Sequence, residues 1–401
     1  MNPFNAYLDN NATTKVAPEV VDAMMPFLTE HYGNPSSIHS FGHEVGKAIE
    51  KARGQVQSLL GAQHSSEIVF TSCATEATNT AILSAIEAFP AKKEIVTSVV
   101  EHPATLQLCQ MLERKGYTIH YIGVDRNGRL DLNAYANALN TETAIVSIQW
   151  ANNETGTLFP IKQLAALANE HGILFHCDAV QVAGKIPFNV KETAIDFLSI
   201  SGHKFHAPKG IGALYIRRGT KFRPMLRGGH QERGRRAGTE NAVGIIAMGK
   251  SAELAEQSTI TDTARITLMR NRLEQSLIAK IPNCFVTGDR ANRVPNTSTI
   301  AFEYVEGEAI LLMLNQLGIA ASSGSACTSG SLEPSHVMRA MDIPYTAAHG
   351  AIRFSLSRFN QEQHIDAVLQ HLPSIIKKLR LMSPYWQPDE NNVNQFEPAF
   401  T

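Results

Sequence analysis

The chain has 401 residues, of which 43% are hydrophobic and 18% are charged, and its formal net charge at pH 7 is −1. These values are typical of a globular enzyme of two or three domains, and they argue against a strongly basic nucleic-acid-binding protein or a membrane-surface protein. No apolar run reaches the roughly 18 residues of a membrane span, and the first residues lack the pattern of a secretory signal, so we expect a cytoplasmic protein.

From residue 45 to about residue 260, short apolar runs alternate with amphipathic stretches. Apolar residues recur at helical spacing from Val45 to Leu59, and Gly61 is expected to end this helix. A strand is predicted at EIVFTS (67–72), followed by a helix at ATEATNTAILSAIEAF (74–89). Further strands are predicted at 94–102, 119–124, 143–154, 172–181, 196–205 and 212–218, with a helix at 161–172.

This alternation predicts an α/β fold, in which helices cover both faces of a mostly parallel sheet. We assign residues 16–262 to a large domain and residues 1–15 and 263–401 to a smaller α+β domain. An amphipathic segment at about 263–281 is expected to bridge the two, and strands at 298–305 and 351–357 and helices at 307–318 and about 361–381 follow. The polar tail after residue 384 is expected to be poorly ordered.

Several polar residues follow the predicted strands, where the carboxyl ends of a parallel sheet form a ligand-binding crevice. In SGHKFHAPKG (201–210), Lys204 follows a strand beside Ser201 and His203, and a lysine in such a setting can form a Schiff base. In HCDAVQ (176–181), the carboxylate of Asp178 ends an apolar strand and could pair with a pyridinium nitrogen. Taken singly, each has an ordinary alternative: a surface lysine at a turn, and an aspartate that caps the next helix.

A third feature is the helix start in FTSCATEATNT (70–80), where small and hydroxyl residues favour a phosphate, with Thr75 adding a hydroxyl. A Schiff-base lysine, a pyridinium aspartate and a phosphate-binding helix start are together what pyridoxal 5′-phosphate (PLP) requires. His102 in VVEHPAT (99–105) is then a candidate for an acid/base residue stacked on the cofactor ring, or else a satisfied strand-end histidine.

At this point the sequence resembles a known family, the cysteine desulfurases, over nearly the whole chain up to about residue 385. The motifs that carry the resemblance are YLDNNATT (7–14), YGNPSSIHSFG (32–42), EIVFTSCATE (67–76), EHPA (101–104), ANNETG (151–156), CDAVQ (177–181), SGHK (201–204), PKGIGALY (208–215), GGHQERGRRAGTEN (228–241) and SSGSACTSGSLEPSHVMRAM (322–341). The chain is most similar to the NifS branch, which serves nitrogenase maturation. The resemblance implies the class V aminotransferase fold (PLP-dependent transferase fold type I), with a mostly parallel seven-stranded sheet covered by helices, a smaller α+β domain and a homodimeric assembly.

The resemblance also implies roles for single residues that match the family motifs. Lys204 is expected to hold PLP as a Schiff base, Asp178 to pair with the ring nitrogen, and His102 to stack on the ring and move protons. Gln181 and Asn153 are expected to contact the phenolic oxygen or the substrate. The residues expected to hold the phosphate are Ala74, Thr75, Ser201, His203 and, from the other subunit, Thr239.

For the substrate, L-cysteine, the resemblance implies a carboxylate clamp by Arg353, a task that suits the bidentate guanidinium group, with Asn34 nearby. A structural ion pair is the alternative role of Arg353. Cys73 stands where many relatives have glycine, and we expect it to be structural. No metal site is expected, because the five cysteines (73, 109, 177, 284 and 327) are widely spaced and form no CxxC pair.

Cys327 lies in SSGSACTSGS (322–331), a run of small residues in which a thiol has nothing to pack against. Such a thiol is suited to move and react, and the resemblance implies that it attacks the substrate sulfur, becomes a persulfide and releases alanine. The resemblance further implies that the sulfur passes to an iron–sulfur scaffold protein, and it allows a transient iron–sulfur cluster contact at Cys327.

Three alternatives remain open at the level of the sequence. A PLP-dependent aminotransferase would share Lys204 and Asp178 but would not need Cys327. A selenocysteine lyase would differ only in its substrate. A non-catalytic scaffold would bind a partner through the polar tail and through the arginines of residues 227–236, which we interpret as a subunit-interface loop rather than a nucleic-acid patch because aromatic residues are not interleaved with them.

Overall fold

The computed structural model describes residues 5–323 and 333–386, so Cys327 and the tail from residue 387 lie outside the described residues. The strands are β1 (Ala6–Tyr7), β2 (Ile68–Thr71), β3 (Glu94–Ser98), β4 (Thr118–Ile122), β5 (Thr143–Gln149), β6 (Leu174–Asp178), β7 (Phe197–Ser201), β8 (Gly212–Ile216), β9 (Cys284–Thr287), β10 (Thr297–Phe302), β11 (Ile319–Ala320), β12 (Ser322–Ser323) and β13 (Ala351–Ser355). The helices are α1 (Pro18–Met24), α2 (Pro26–Thr29), α3 (Ser40–Leu60), α4 (Ala74–Ala88), α5 (Pro103–Glu113), α6 (Leu132–Ala138), α7 (Ile161–Glu170), α8 (Ala242–Lys280), α9 (Gly307–Gln316), α10 (His336–Ala340), α11 (Tyr345–Ala348) and α12 (Glu362–Met382).

Seven strands form one sheet in the order β2-β8-β7-β6-β5-β3-β4. From β7 to β4 the neighbours pair in parallel, whereas β8 is antiparallel to both β7 and β2. The connection between β7 and β8 is too short for a crossover helix, and antiparallel pairing needs none. The predicted α/β fold with a mostly parallel seven-stranded sheet is therefore confirmed.

Helices cover both faces of this sheet, as the alternation of strands and helices predicts. On one face α3, α7 and the first turns of α8 bury residues such as Val45, Leu164 and Ile245. On the other face α4 and α5 bury Ala81 and Leu108. Because both faces are covered, the strands read as nearly continuous apolar runs, and polar groups that bind a ligand are left to the strand ends.

Helix α8 differs from its prediction, since it begins at Ala242 and runs through the expected bridge without a break. No proline interrupts these 39 residues, so the helix is roughly 58 Å long. Its first turns pack on the large sheet, and its last turns, including Leu273 and Leu277, pack in a second core with α9 and α12.

This second core lies against an antiparallel sheet with the order β12-β13-β10-β9. Strand β1 pairs in parallel with β11 beside it, and residue Asp9 forms a bridge with Ser355 at the end of β13. From there the chain continues to Thr14, whose main-chain N–H donates to the carbonyl of His203. The N-terminal segment therefore runs from the small sheet to the carboxyl edge of the large one.

Within residues 5–323 and 333–386, no helix is both long and apolar enough to cross a membrane. The same residues contain no group of three or more histidine, cysteine, aspartate or glutamate side chains arranged to hold a metal ion. The boundaries of the two predicted domains remain a prediction.

Candidate active site

A cavity of about 480 Å³ opens at the carboxyl ends of the parallel strands. Ten of the residues singled out from the sequence line it: Ala74, Thr75, His102, Asn153, Asp178, Gln181, Ser201, His203, Lys204 and Arg353. They come from six separate stretches of the chain. Five of these follow strands of the large sheet, whose carboxyl ends meet at one edge, and the sixth, Arg353, belongs to β13 of the small sheet. Their chemical roles remain predictions, but the structure places them together.

Lys204 closes a single 3₁₀ turn directly after β7. Its Nζ donates to the main-chain carbonyls of Asn11, at 2.6 Å, and Ala12, at 2.9 Å. Both carbonyls belong to the N-terminal segment, so a stretch almost two hundred residues away holds the amine at the cavity.

Asp178 is the last residue of β6 and is only 9% exposed. Burial raises the pKa of its carboxyl group, although the neighbouring His102 and Lys204 and a hydrogen bond from the main-chain N–H of Val180, at 2.9 Å, favour the ionised form. A buried carboxylate of this kind is stabilised when a cationic partner enters the cavity. The site is therefore suited to a ligand that carries a positive charge at this point.

His102 caps the N-terminus of α5, where its Nδ1 accepts a hydrogen bond from the main-chain N–H of Ala104 at 3.1 Å. When the ring is neutral, its proton is therefore on Nε2. Burial lowers the pKa of the ring, although Asp178 opposes this effect. A neutral histidine with a defined tautomer thus lines the cavity at neutral pH.

The N-terminus of α4 reaches the same cavity through Cys73, Ala74 and Thr75. The first N–H groups of a helix have no intrahelical partner, and the side chain of Cys73, the N-cap residue, makes no capping hydrogen bond. Strand β8 lies tightly against this turn, since a Cβ on Gly212 would be 2.6 Å from the carbonyl carbon of Cys73. The 15-residue helix therefore presents free donors and the positive end of its dipole to an anion.

Arg353 enters from β13 of the small sheet and is 3% exposed. Its Nη2 donates to the Oδ1 of Asp9 at 2.8 Å, and its Nη1 donates to the carbonyl of Asn153 at 3.2 Å. Its Nε is buried and has no hydrogen-bond partner among the described residues. Arg353 thus forms the ion pair that was considered as its alternative role, here with Asp9, and it also has one N–H donor, Nε, that is not used.

Two predicted residues do not line the cavity of the single chain. Asn34 and Thr239 are both exposed, and the Oδ1 of Asn34 accepts a hydrogen bond from the main-chain N–H of Ser36 at 2.9 Å. The arginines near Thr239 are tied to their own chain: Arg227 to Glu87, Arg233 to Glu50, Arg235 to the carbonyl of Ser66 and Arg236 to Glu76. The predicted nucleophile Cys327 lies outside the described residues.

Four polar residues at the cavity or directly beside it were not predicted from the sequence: the buried Glu101, Glu154 and Ser335 and the partly buried His336. Burial raises the pKa of Glu101 to about 8, although the Ser98 hydroxyl donates to it at 2.6 Å. Burial likewise raises the pKa of Glu154 to about 7, and Ser335 donates to that carboxyl group at 2.6 Å. His336, next to Ser335, lines the cavity and contacts the carbonyl of Glu101 at 3.0 Å.

Asn11 was missed as well, and its side chain and carbonyl join the N-terminal segment to the cavity. All five residues lie inside the motifs that the sequence analysis quoted, namely YLDNNATT, EHPA, ANNETG and the segment that ends in PSHVMRAM. A signal was therefore present, but periodicity did not separate these residues from their neighbours.

Comparisons with known proteins agree with this architecture. The family model described as Aminotransferase class-V matches residues 6–368, a range that contains every residue lining the cavity. The "Cysteine desulfurase NifS" of Azotobacter vinelandii is 60% identical over 399 residues, which is 99% of each chain. A solved structure described as "NIFS-LIKE PROTEIN" has a TM-score of 0.88 at 36% identity and covers 94% of this chain and 100% of that chain. Another, "SspA in complex with cysteine", has a TM-score of 0.78 at 32% identity and covers 89% and 100%.

Proposed function

The chain belongs to the aminotransferase class-V family and, within it, to the cysteine desulfurases, and from this premise we propose that it removes sulfur from L-cysteine with PLP as its cofactor. The overall reaction balances as L-cysteine plus the thiol of Cys327 giving L-alanine plus the persulfide of Cys327. The single observation that carries the proposal is the meeting of Lys204, Asp178 and the free N-terminus of α4 in one cavity.

The donor set of the cavity fits this cofactor. The N–H groups at the start of α4, with Thr75, Ser201 and His203, form the end suited to a phosphate. Asp178 supplies the carboxylate whose burial is offset by a protonated ring nitrogen. Lys204 supplies the amine for attachment, with Gln181 and Asn153 beside it in the same cavity.

When bound, the cofactor withdraws electrons from the Cα of an amino acid and so activates its side chain. The residues of this chain then bind the substrate and move its protons. Arg353, which lines the cavity, holds the carboxylate, and Lys204 accepts the proton from Cα. His102 carries a proton on Nε2 for transfer at the same cavity.

Cys327 completes the reaction as the attacking thiolate. It breaks the bond between the substrate sulfur and Cβ and retains that sulfur as a persulfide, while the three-carbon product leaves as alanine. Cys327 has to reach both the cavity and an external acceptor. The small residues of the sequence around it, SSGSACTSGS (322–331), are consistent with this requirement.

The sulfur is proposed to reach an iron–sulfur scaffold protein, in a cell that uses it for nitrogenase maturation. The support is the 60% identity to the protein named NifS in Azotobacter vinelandii. We also propose a cytoplasmic homodimer in which Thr239 contacts the phosphate of the partner subunit. The exposed apolar residues Tyr32, Ile38 and Phe41, near Asn34, offer a surface for the contact between the two subunits.

The decisive experiment incubates the yellow, PLP-loaded protein with L-cysteine, measures alanine, and determines the mass of the peptide that contains Cys327. We expect alanine release and a gain of one sulfur atom on Cys327, both lost in Cys327→Ala while the visible absorbance remains. Cys284→Ala, which removes a partly buried thiol from β9, is the matched control and should behave like wild type.

Other outcomes identify the alternatives. A keto acid in place of alanine, unaffected by Cys327→Ala, would establish an aminotransferase. Turnover of selenocysteine without turnover of cysteine would establish a selenocysteine lyase. Protein that stays colourless with PLP would refute catalysis and leave the scaffold function.

A further inference from the structure

Lys185 is a second lysine beside the cavity, and neither the sequence analysis nor the proposed chemistry uses it. Its Nζ donates to the side-chain carbonyl oxygens of two amides, Gln181 at 2.5 Å and Asn11 at 3.0 Å. Gln181 and Lys185 are four residues apart in the turns that follow β6, so their side chains extend from neighbouring points of the chain.

A lysine has donors but, when charged, no acceptor. The amide groups that face Lys185 must therefore direct their oxygens toward it and their NH₂ groups away from it. The hydrogen bonds of the NH₂ groups follow this rule: that of Gln181 donates to the carbonyl of Asn11 at 3.1 Å, and that of Asn11 donates to Thr297 at 2.8 Å. Burial, reinforced by Lys204 and Arg353, lowers the pKa of Lys185. A neutral amine retains two N–H donors, and when it donates them to these two oxygens its lone pair points away from both amides.

The position of Lys185 is set by its backbone. Gly184 adopts φ +71°, and a Cβ there would lie 2.8 Å from the Cβ of Phe205, so only glycine fits this turn. The carbonyl of Lys185 accepts a hydrogen bond from the hydroxyl of Thr263 on α8 at 2.8 Å. The backbone at Lys185 is therefore fixed by the turn at Gly184 and by α8, and this backbone places the amine beside the two amides.

We propose that Lys185 is a positioning residue: it fixes the orientation of the Gln181 amide, so that Gln181 offers an N–H donor, and not an oxygen, to the ligand in the cavity. Gln181 lines the cavity, and one of its two amide hydrogens is committed to Asn11, which leaves the other for the ligand. The inference rests on the proposed function, in which that ligand is PLP and the acceptor is an oxygen of the cofactor.

The test uses Lys185→Met, which keeps the length of the side chain and removes its donors. PLP is titrated into the cofactor-free protein by visible absorbance, and the pH dependence of that absorbance is recorded for the loaded protein. We expect binding to weaken about five- to tenfold, the change expected for one lost hydrogen bond, and the pH midpoint of the visible band to shift. Lys250→Met, at a half-buried lysine of α8 paired with Glu253, is the matched control and should leave both readouts unchanged.

A double variant separates positioning from a merely structural effect. Gln181→Leu removes the donor itself, so adding Lys185→Met to it should weaken PLP binding no further. If Lys185→Met is too unstable to purify, Lys185→Gln serves instead, because an amide both donates and accepts and cannot impose one orientation; the same loss is expected.

The inference is overturned if PLP binding and the pH midpoint are those of wild type in the Lys185 variant, or if the effects of the two substitutions simply add. These results differ from failure of the proposed function, in which the wild-type protein itself does not bind PLP or form alanine.

Discussion

Replacing Arg353 with lysine tests whether the guanidinium group binds the substrate carboxylate or serves only as an ion pair. The side chain is 4% exposed and already contacts Asp9 and the carbonyl of Asn153, with Nε left over. Lysine keeps the positive charge and its pairing with Asp9 but loses the planar fork. Methionine removes the charge as well and leaves Asp9, 19% exposed, without its partner.

The magnitude follows from the number of hydrogen bonds lost. A hydrogen bond between charged groups contributes about 1.5–3 kcal/mol, and a carboxylate on the guanidinium fork accepts two of them. Arg353→Lys loses one, so we expect a cost of about 2 kcal/mol and roughly a 30-fold higher KM for L-cysteine. Arg353→Met loses both, for which we expect a cost of about 4 kcal/mol and roughly a thousandfold loss of kcat/KM.

The assay compares L-cysteine with cysteamine, which has the same amine and thiol but lacks the carboxylate. Wild type should prefer cysteine, and the preference should fall stepwise in Arg353→Lys and Arg353→Met, because only cysteine uses the fork. Arg272→Lys, at an exposed arginine of α8 paired with Glu362 and Asp366, is the control for a charge-preserving change outside the cavity. An undiminished preference for cysteine in Arg353→Met would show that the carboxylate is bound elsewhere and that the ion pair is the whole role of Arg353.

Three further predictions follow from buried contacts. Glu232→Gln removes the charge that faces Arg53 in a pair whose side chains are 3% and 4% exposed, and urea unfolding should show a loss of about 3–5 kcal/mol. Burial raises the pKa of Glu154 from 4.5 to about 7, so between these values the folded state binds more protons than the unfolded state and loses stability as the pH rises. Glu154→Gln should remove this loss, measured as the difference between urea midpoints at pH 5 and pH 8. Gly212→Ala places a Cβ 2.6 Å from the carbonyl carbon of Cys73 and, by displacing the start of α4, should weaken PLP binding in an absorbance titration.

Each of these has a result that contradicts it. Wild-type stability in Glu232→Gln would mean that Glu50, which already accepts a hydrogen bond from the Nε of Arg53 at 3.0 Å, is sufficient to pair the buried charge. Equal differences between pH 5 and pH 8 in Glu154→Gln and wild type would show that this carboxyl group does not titrate in the window. Unchanged PLP affinity in Gly212→Ala would mean that the start of α4 moves without loss of the phosphate contacts.

Local patterns were sufficient for much of the fold. The apolar spacing from Val45 to Leu59 marked α3, and Gly61, with φ +65°, ends that helix as predicted because glycine adopts the left-handed conformation at little cost. The strands of the large sheet were recognisable as apolar runs since both of their faces are buried. The prediction that a separate bridging segment begins at about residue 263 was wrong. The β-branched residues near Thr259 weaken the helical pattern in the sequence, but α8 continues through them, and Thr259 is buried.

The sequence by itself determined the order of the chemical groups, because a strand end followed by a polar residue is a local signal, and the sheet then gathers Asp178 and Lys204 on one edge. Only the tertiary structure decided which distant groups surround them. The carbonyl of Asn11 meets Lys204, and Asp9 meets Arg353 across more than 340 positions, through an N-terminal segment without helical or strand periodicity. Burial that perturbs the carboxyl groups of Glu101 and Glu154 is likewise a property of the packed molecule, since a pKa depends on the surroundings in space and not on the neighbours in the chain.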